Sequence, residues 1–241
     1  ISLPEVILKM KSLKHVKISE KAVISLGDHE LEDSSLQVNY IKTFSTLALH
    51  HVADSENLLR KLTGLQKLRC VVSGSQLYSN NKVQFPASAY LKDLQSLTLS
   101  TLDYEGLVSC SWLHNQFQTF NFPSTLKKLT LYRLGLPWRG ISMIMQLENL
   151  EVLKLREQAF MGNRWHMKLG KEEFRNLKFL ELSNLDIRQW RGSDIDPFPC
   201  LEGLVVKDCH RLLEVPLCLG RTATLQMIEL RQCSDSVKKL A

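Results

Sequence analysis

Leu126-Lys127-Lys128-Leu129-Thr130-Leu131 and, 24 residues on, Leu150-Glu151-Val152-Leu153-Lys154-Leu155 state one phrase, Leu-x-x-Leu-x-Leu, and that phrase decides the fold. It recurs nine times, with its first apolar position at Leu13, Phe44, Leu65, Leu94, Leu126, Leu150, Leu177, Leu201 and Leu225. The spacings are 31, 21, 29, 32, 24, 27, 24 and 24 residues. Most fall in or near the roughly 20 to 29 residues of a leucine-rich repeat. Each phrase reads as one short strand whose leucines point into a common core while the residues between them face out. A single repeat cannot bury its own apolar face, so neighbours must stack. The sequence therefore predicts an α/β leucine-rich repeat solenoid, a horseshoe with a parallel concave sheet and irregular loops or short helices on the convex side.

Length and composition agree with one elongated domain over residues 1–241, about nine repeats long. The chain is 44% hydrophobic, and no Gly/Ser- or Pro-rich linker divides it. No run of about 18 apolar residues is present for a membrane span, and the N-terminus lacks the signal-peptide pattern. Because Ile1 already lies in repeat-like sequence, the chain is expected to be a C-terminal fragment of a larger protein.

The repeat also places the cysteines. Cys209 and Cys233 fall eight positions after the first leucine of their units, where the template takes Asn or Cys, and Cys70 occupies a core strand position. With Cys110, Cys200 and Cys218 they show no metal-ligand spacing, so buried structural thiols are expected. The absence of an Asn-x-Ser/Thr sequon fits reduced intracellular surroundings, with a cytoplasmic location and a nuclear pool open. Three middle units carry leucine at the eighth position, Leu102, Leu134 and Leu185, followed by Tyr104, Leu136 and Ile187, so apolar packing replaces a polar ladder there. Short helices are expected on the convex side, one capped by Asp54 over 55–62 and one over 141–147 after Pro137. Phe85-Pro86, Phe122-Pro123 and Phe198-Pro199 end the return segment before a new strand.

The run Phe122-Pro123-x-x-Leu126-Lys127-x-Leu129-Thr130-Leu131-x-x-Leu134-x-Leu136-x-Trp138 carries a resemblance. So do Leu147-x-Asn149-Leu150-Glu151-Val152-Leu153-Lys154-Leu155 and Ala159-Phe160-x-Gly162-x-x-Trp165. The last units add Phe198-Pro199-Cys200-Leu201-Glu202, Cys209-x-x-Leu212-x-Glu214-x-Pro216 and Leu225-Gln226-x-Ile228-Glu229-Leu230-x-x-Cys233. These stretches resemble the C-terminal repeats of plant intracellular NB-LRR (NLR) immune receptors, more narrowly the coiled-coil disease-resistance proteins of nightshades. The match covers about residues 122 to 235; the first half departs from it, where Phe44, Cys70 and long spacings blur the register.

The resemblance implies a repeat domain that senses a pathogen effector, directly or through a guarded host protein, and folds back on the receptor's own nucleotide-binding and coiled-coil domains to restrain them. ADP/ATP exchange is expected only in that nucleotide-binding module, and no cofactor in this chain. Gly170-Lys171 is followed by Glu172, and Trp165 stands where the earlier glycine of a phosphate loop belongs.

Positions two, four and six after each first leucine should face out on the concave sheet. They supply Lys17, Lys67, Arg69, Lys128, Lys154, Arg156, Lys207 and Arg231 against Glu181 and Glu229, a sharper basic excess than the 31 to 25 of the whole chain. In the Phe44 unit the set reads Thr46, Ala48 and His50. Tyr132 and Phe179 lie on the same face and suit interface anchors. Such a stripe attracts an acidic partner by summed potential; the alternative is that its charges are only solvated strand edges. Trp138, Trp165 and Trp190 follow their strands toward the convex side, where wedging between repeats is expected rather than a ligand platform. Trp112 lies among Phe117, Phe120 and Phe122 in a long insertion that reads equally as a satellite core or a recognition loop.

No nucleophile elbow, metal-spaced His/Cys set or carboxylate pair stands out, and His50-His51 straddles a strand end, so no enzyme activity is expected. Two other binding classes share these features. A substrate-recruiting module of an F-box ubiquitin-ligase adaptor would use the same scaffold. A nucleic-acid binder would use the same basic charge, but here that charge is spread singly between repeats without stacking aromatics beside it.

Overall fold

A computed structural model describes residues 2–19, 23–25, 38–49, 58–72, 90–101, 121–167, 173–192 and 196–238. Two compact units, residues 1–126 and 127–241, are each built from the repeat. In the first, strands β2 (His15–Val16), β4 (Thr43–Leu49), β5 (Lys67–Val72) and β6 (Ser96–Thr101) form a parallel sheet in that order. Beside it β1 (Ser2–Pro4) pairs with β3 (Val23–Ser25). In the second, β7 (Lys128–Tyr132), β9 (Val152–Arg156), β12 (Phe179–Ser183), β14 (Gly203–Lys207) and β15 (Met227–Arg231) are parallel and in strict register. The leucine-rich repeat fold is thus present in both units.

The register has a common lock. Within each unit the carbonyl just after the first leucine of a repeat accepts two successive N–H groups of the next repeat: Lys127 O takes Glu151 and Val152 at 2.8 and 2.9 Å, and Glu151 O takes Lys178 and Phe179 at 2.8 and 3.0 Å. Lys14, Lys42 and Gln66 do the same in the first unit. This corrects the reading of the second repeat. Its paired acceptor is Lys42, and Phe44 lies opposite Val16 and Leu68, the second apolar positions of their phrases. The repeat therefore begins at Ile41, 28 residues after Leu13 and 24 before Leu65. The sequence hid it because a bulge between Phe44 and Leu47, with Thr46 at φ 66°, inserts one residue and mimics a fresh start at Phe44. Ala48, expected to face out, is buried.

Each of these five strands of the second unit is followed by a left-handed residue seven positions after its first leucine: Arg133, Glu157, Asn184, Asp208 and Gln232, with φ between 48° and 57°. Four of their N–H groups donate to the next repeat, as Asn184 does to Lys207 O at 2.9 Å, so the turn extends the hydrogen-bonded ladder past the strand. The eighth position then points inward in four of these five units, the exception being exposed Gln158. Leu134, Leu185, Cys209 and Cys233 are buried there, with Leu136 and Ile187 buried two residues on. The thiols of Cys209 and Cys233 reach back to Leu182 O and Val206 O at 3.9 and 3.5 Å.

On the opposite side of the second unit, a 3-10 turn Trp138–Gly140 runs into the helix Ile141–Met145, whose Ile141, Ile144 and Met145 are buried, close to the expected 141–147. Short parallel pairs join β8 (Leu136–Pro137) to β10 (Phe160–Met161) and β11 (Arg164–His166) to β13 (Gln189–Arg191). Beneath them the expected wedge is a stack. Trp165 lies 4.7 Å from Trp138 and 4.8 Å from Trp190, its ring nearly parallel to both, and Phe198 meets Trp165 and Trp190 edge-on. Gly162, at φ 108°, brings its carbonyl to Trp138 Nε1 at 2.9 Å. In the first unit residues 58–61 are helical with Leu58, Leu59 and Leu62 buried, while the proposed cap at Asp54 lies outside the described residues. So do His50-His51, Phe85-Pro86, Leu102, Tyr104, Cys110, Trp112 and Gly170-Lys171.

Candidate recognition surface

The sheet of the second unit presents three rows of side chains to solvent, set by its register. The second-position row is Lys128, Val152, Phe179, Gly203 and Met227; the fourth is Thr130, Lys154, Glu181, Val205 and Glu229; the sixth is Tyr132, Arg156, Ser183, Lys207 and Arg231. These rows hold seven of the ten residues expected to bind a partner. The other three are in the first unit: Lys17 is exposed just past β2, and Lys67 and Arg69 are exposed on β5, Lys67 between Thr43 and Ser96.

The rows are not equally open. Thr130, Glu181 and Val205 in the middle row are buried, because side chains that stand side by side on adjacent strands cover one another. Glu181, 5% exposed, is gripped from two sides. Lys154 Nζ lies 2.9 Å from Oε2, and Arg156 makes a fork with Nε on Oε1 at 2.8 Å and Nη2 on Oε2 at 2.9 Å. Burial works to raise the Glu181 pKa, but the hydrogen bonds and charges of Arg156 and Lys154 outweigh it and hold the carboxyl below its ordinary value. A second carboxylate, Glu229, has Lys207 at 3.9 Å and Arg231 in ion contact. Four of the five cations of this face are thus engaged by its own two acids. Lys128 is exposed and has no ion pair among the described residues. Sequence reasoning missed this pairing, yet the signal was there: Lys154 and Glu181 occupy the fourth position of consecutive repeats, which places them side by side.

The aromatics sit where they can anchor a contact. Lys154 Nζ stands 5.2 Å over the Phe179 ring, and the Arg133 guanidinium 5.0 Å over Tyr132. Beside Phe179, Gly203 supplies a floor without a side chain. A Cβ there would meet Phe179 Cδ2 at 3.1 Å and Met227 Cε at 3.3 Å, so ring and methyl close over the glycine as one apolar strip.

No family model matches the chain. Curated relatives do. A putative late blight resistance protein homolog of Solanum demissum is 31% identical over 244 residues, covering 100% of this chain and 18% of the relative. A late blight resistance protein of the same plant is 31% identical over 99% of the chain and 17% of its own length, and a further homolog is 33% identical over 88% and 17%. The chain is thus related, over nearly all of its length, to plant disease-resistance proteins. It spans less than a fifth of the length of these relatives, and it is a leucine-rich repeat region of a plant disease-resistance protein.

Within this resistance-protein region, Cys70, Cys209, Cys218 and Cys233 are buried and Cys200 is half-buried, all as free thiols. Burial pushes Cys70 and Cys209 up to about 12. The folded state therefore holds protons that an unfolded thiol releases near 9.0, and the stability gained from neutral buried thiols is intact below that pH and lost as pH rises toward 12. At neutral pH iodoacetamide is expected to alkylate Cys200 and spare these four until denaturant is added. Peptide mass spectrometry reads the result; labelling of Cys209 as fast as Cys200 would contradict the burial. No group of three His, Cys, Asp or Glu able to hold a metal occurs among the described residues, and no helix among them is long and apolar enough to cross a membrane.

Proposed function

We propose that this region is the non-catalytic recognition and restraining part of an intracellular plant immune receptor, sensing a pathogen effector directly or through a host protein. In the resting receptor it contacts the nucleotide-binding module. The sheet face of the second unit supports this reading most directly: an apolar strip of Phe179, Gly203 and Met227 shares its row with Lys128 and is separated by the middle row from Tyr132, Arg156, Lys207 and Arg231. Such a face suits a protein partner with an acidic rim and an apolar centre. Lys17, Lys67 and Arg69 offer further cations in the first unit. The relatives are resistance proteins, which favours this reading over a ubiquitin-ligase adaptor.

The structure also redirects the test. Reversing Lys154 or Arg156 would set a new carboxylate against buried Glu181 and disturb the fold, whereas Lys128 is exposed without an ion pair among the described residues and Arg231, 67% exposed at its side chain, meets only the more open Glu229. The Lys128→Glu/Arg231→Glu variant is expected to bind the nucleotide-binding module of its own receptor about tenfold more weakly by calorimetry, with the loss shrinking at high salt. Unchanged affinity for that module would remove this face from the restraint.

A further inference from the structure

The second unit has another cationic surface, on β11 and β13. Trp165 and Trp190 of these strands point inward and are fully buried, so Arg164 and His166 on β11 and Arg191 on β13 point out, with His166 opposite Arg191. Arg188, exposed just before β13, accepts at its carbonyl the N–H of Leu213 at 3.0 Å. Leu213 and Leu217 are exposed apolar side chains, 38% and 86% open. Leu217 is placed at the end of β13 because its neighbours Pro216 and Cys218 pack against Gly192, leaving no room there for a Cβ. Among the described residues the carboxylates here are Glu214, whose backbone bridges to Gln189 and whose side chain lies 3.8 Å from Arg191, and Asp186, two residues before Arg188 and held by Arg211 at 2.9 Å. Arg164 and Arg188 have no ion pair among the described residues.

This reverses the expectation drawn from the repeat. The cations of the main sheet are mostly held by Glu181 and Glu229, while those on the smaller sheet are mostly left for solvent. We propose that the outward face of β11 and β13 is a docking surface for an acidic polypeptide segment carrying an apolar side chain. Charge complementarity selects the acid, and exposed Leu213 and Leu217 select the apolar group, which would cover them. The backbone suits an extended segment, since outward residues on one strand repeat about every 6.6 Å, the spacing of alternate side chains in the bound strand. Nucleic acid is disfavoured because the aromatics of these strands face inward and offer no base a stacking platform. This surface lies on different strands from the sheet face discussed above and does not depend on it.

The probe is a fluorescein-labelled peptide of alternating glutamate and serine ending in two leucines, followed by anisotropy. Arg164→Glu/Arg188→Glu is expected to weaken binding about tenfold, since each reversal replaces attraction with repulsion. Lys11→Glu/Lys92→Glu, the same change in net charge at exposed sites of the first unit, is expected to leave it within about twofold. Leu217→Ser, a surface change that spares the fold, should weaken the leucine-ended peptide and leave an all-glutamate/serine peptide untouched. Near-ultraviolet circular dichroism of the stacked tryptophans checks each fold. No peptide binding, equal loss in the control pair, or tighter binding of phosphatidylserine vesicles or single-stranded oligonucleotide than of peptide would each overturn the proposal.

Discussion

Trp165→Ala is expected to destabilise the second unit by about 3–5 kcal/mol, the range for removing a large aromatic from a packed core. The indole is fully buried and central to the stack, with Trp138 on one face, Trp190 on the other and Phe198 at its edge. Its loss would open a cavity between three successive repeats, none of which can bury the exposed rings alone. Trp165→Phe should cost much less, for a specific reason. The Nε1 groups of Trp165 and Trp190 are buried and find no acceptor among the described residues, so replacing this indole by a phenyl ring removes no hydrogen bond. Urea denaturation of the two variants measures the difference, and equal costs would show that the stack is not where the stability lies.

The second large effect is at Glu181. Its removal leaves Lys154 and Arg156, 22% and 39% exposed at their side chains, facing each other without their shared counter-ion. Loss of one partner of a fully buried pair costs about 3–5 kcal/mol, and the partial exposure of these cations brings the expectation for Glu181→Ala to about 2 kcal/mol. The pH dependence gives the test its sign. A carboxyl whose pKa is lowered in the folded state contributes stability that is present above the ordinary carboxylate value, near 4.5, and is lost as pH falls through the folded value. The gap in urea midpoint between the parent chain and Glu181→Ala should therefore be full at neutral pH and narrow on acidification. A gap that stays constant down to low pH would mean that lost packing, not lost charge, explains the cost.

What could be read from the residues was whatever the period carries. Eight of the nine first positions, the inward leucines, the buried eighth-position cysteines and the tryptophan wedge all follow from spacing, because a repeat confers one environment on every residue at a given position. Phe44 was misplaced because a bulge changes the count without changing the apolar character of the residues around it. The left-handed turns were illegible for a different reason: Arg133, Glu157 and Gln232 are not residues that choose that conformation, and at Arg133 and Glu157 the ladder bonds of their own N–H groups impose it. The smaller sheet was missed because β11 and β13 are three residues each, too short for alternation to be visible. The candidate face was legible as a list of residues and not as an electrostatic surface, since composition counts Lys154, Arg156 and Glu181 as separate charges and the register makes them one group.

The carbonyl that takes two donors from the following repeat fixes where each coil must be entered but says nothing about how long the path to it should be. Units between 24 and 29 residues long satisfy the same handover, so insertions accumulate on the return path while the strands keep their alignment. A gene built on this plan can gain or lose segments between strands without renegotiating its core. The rigid ladder is thus what permits the loops to diversify.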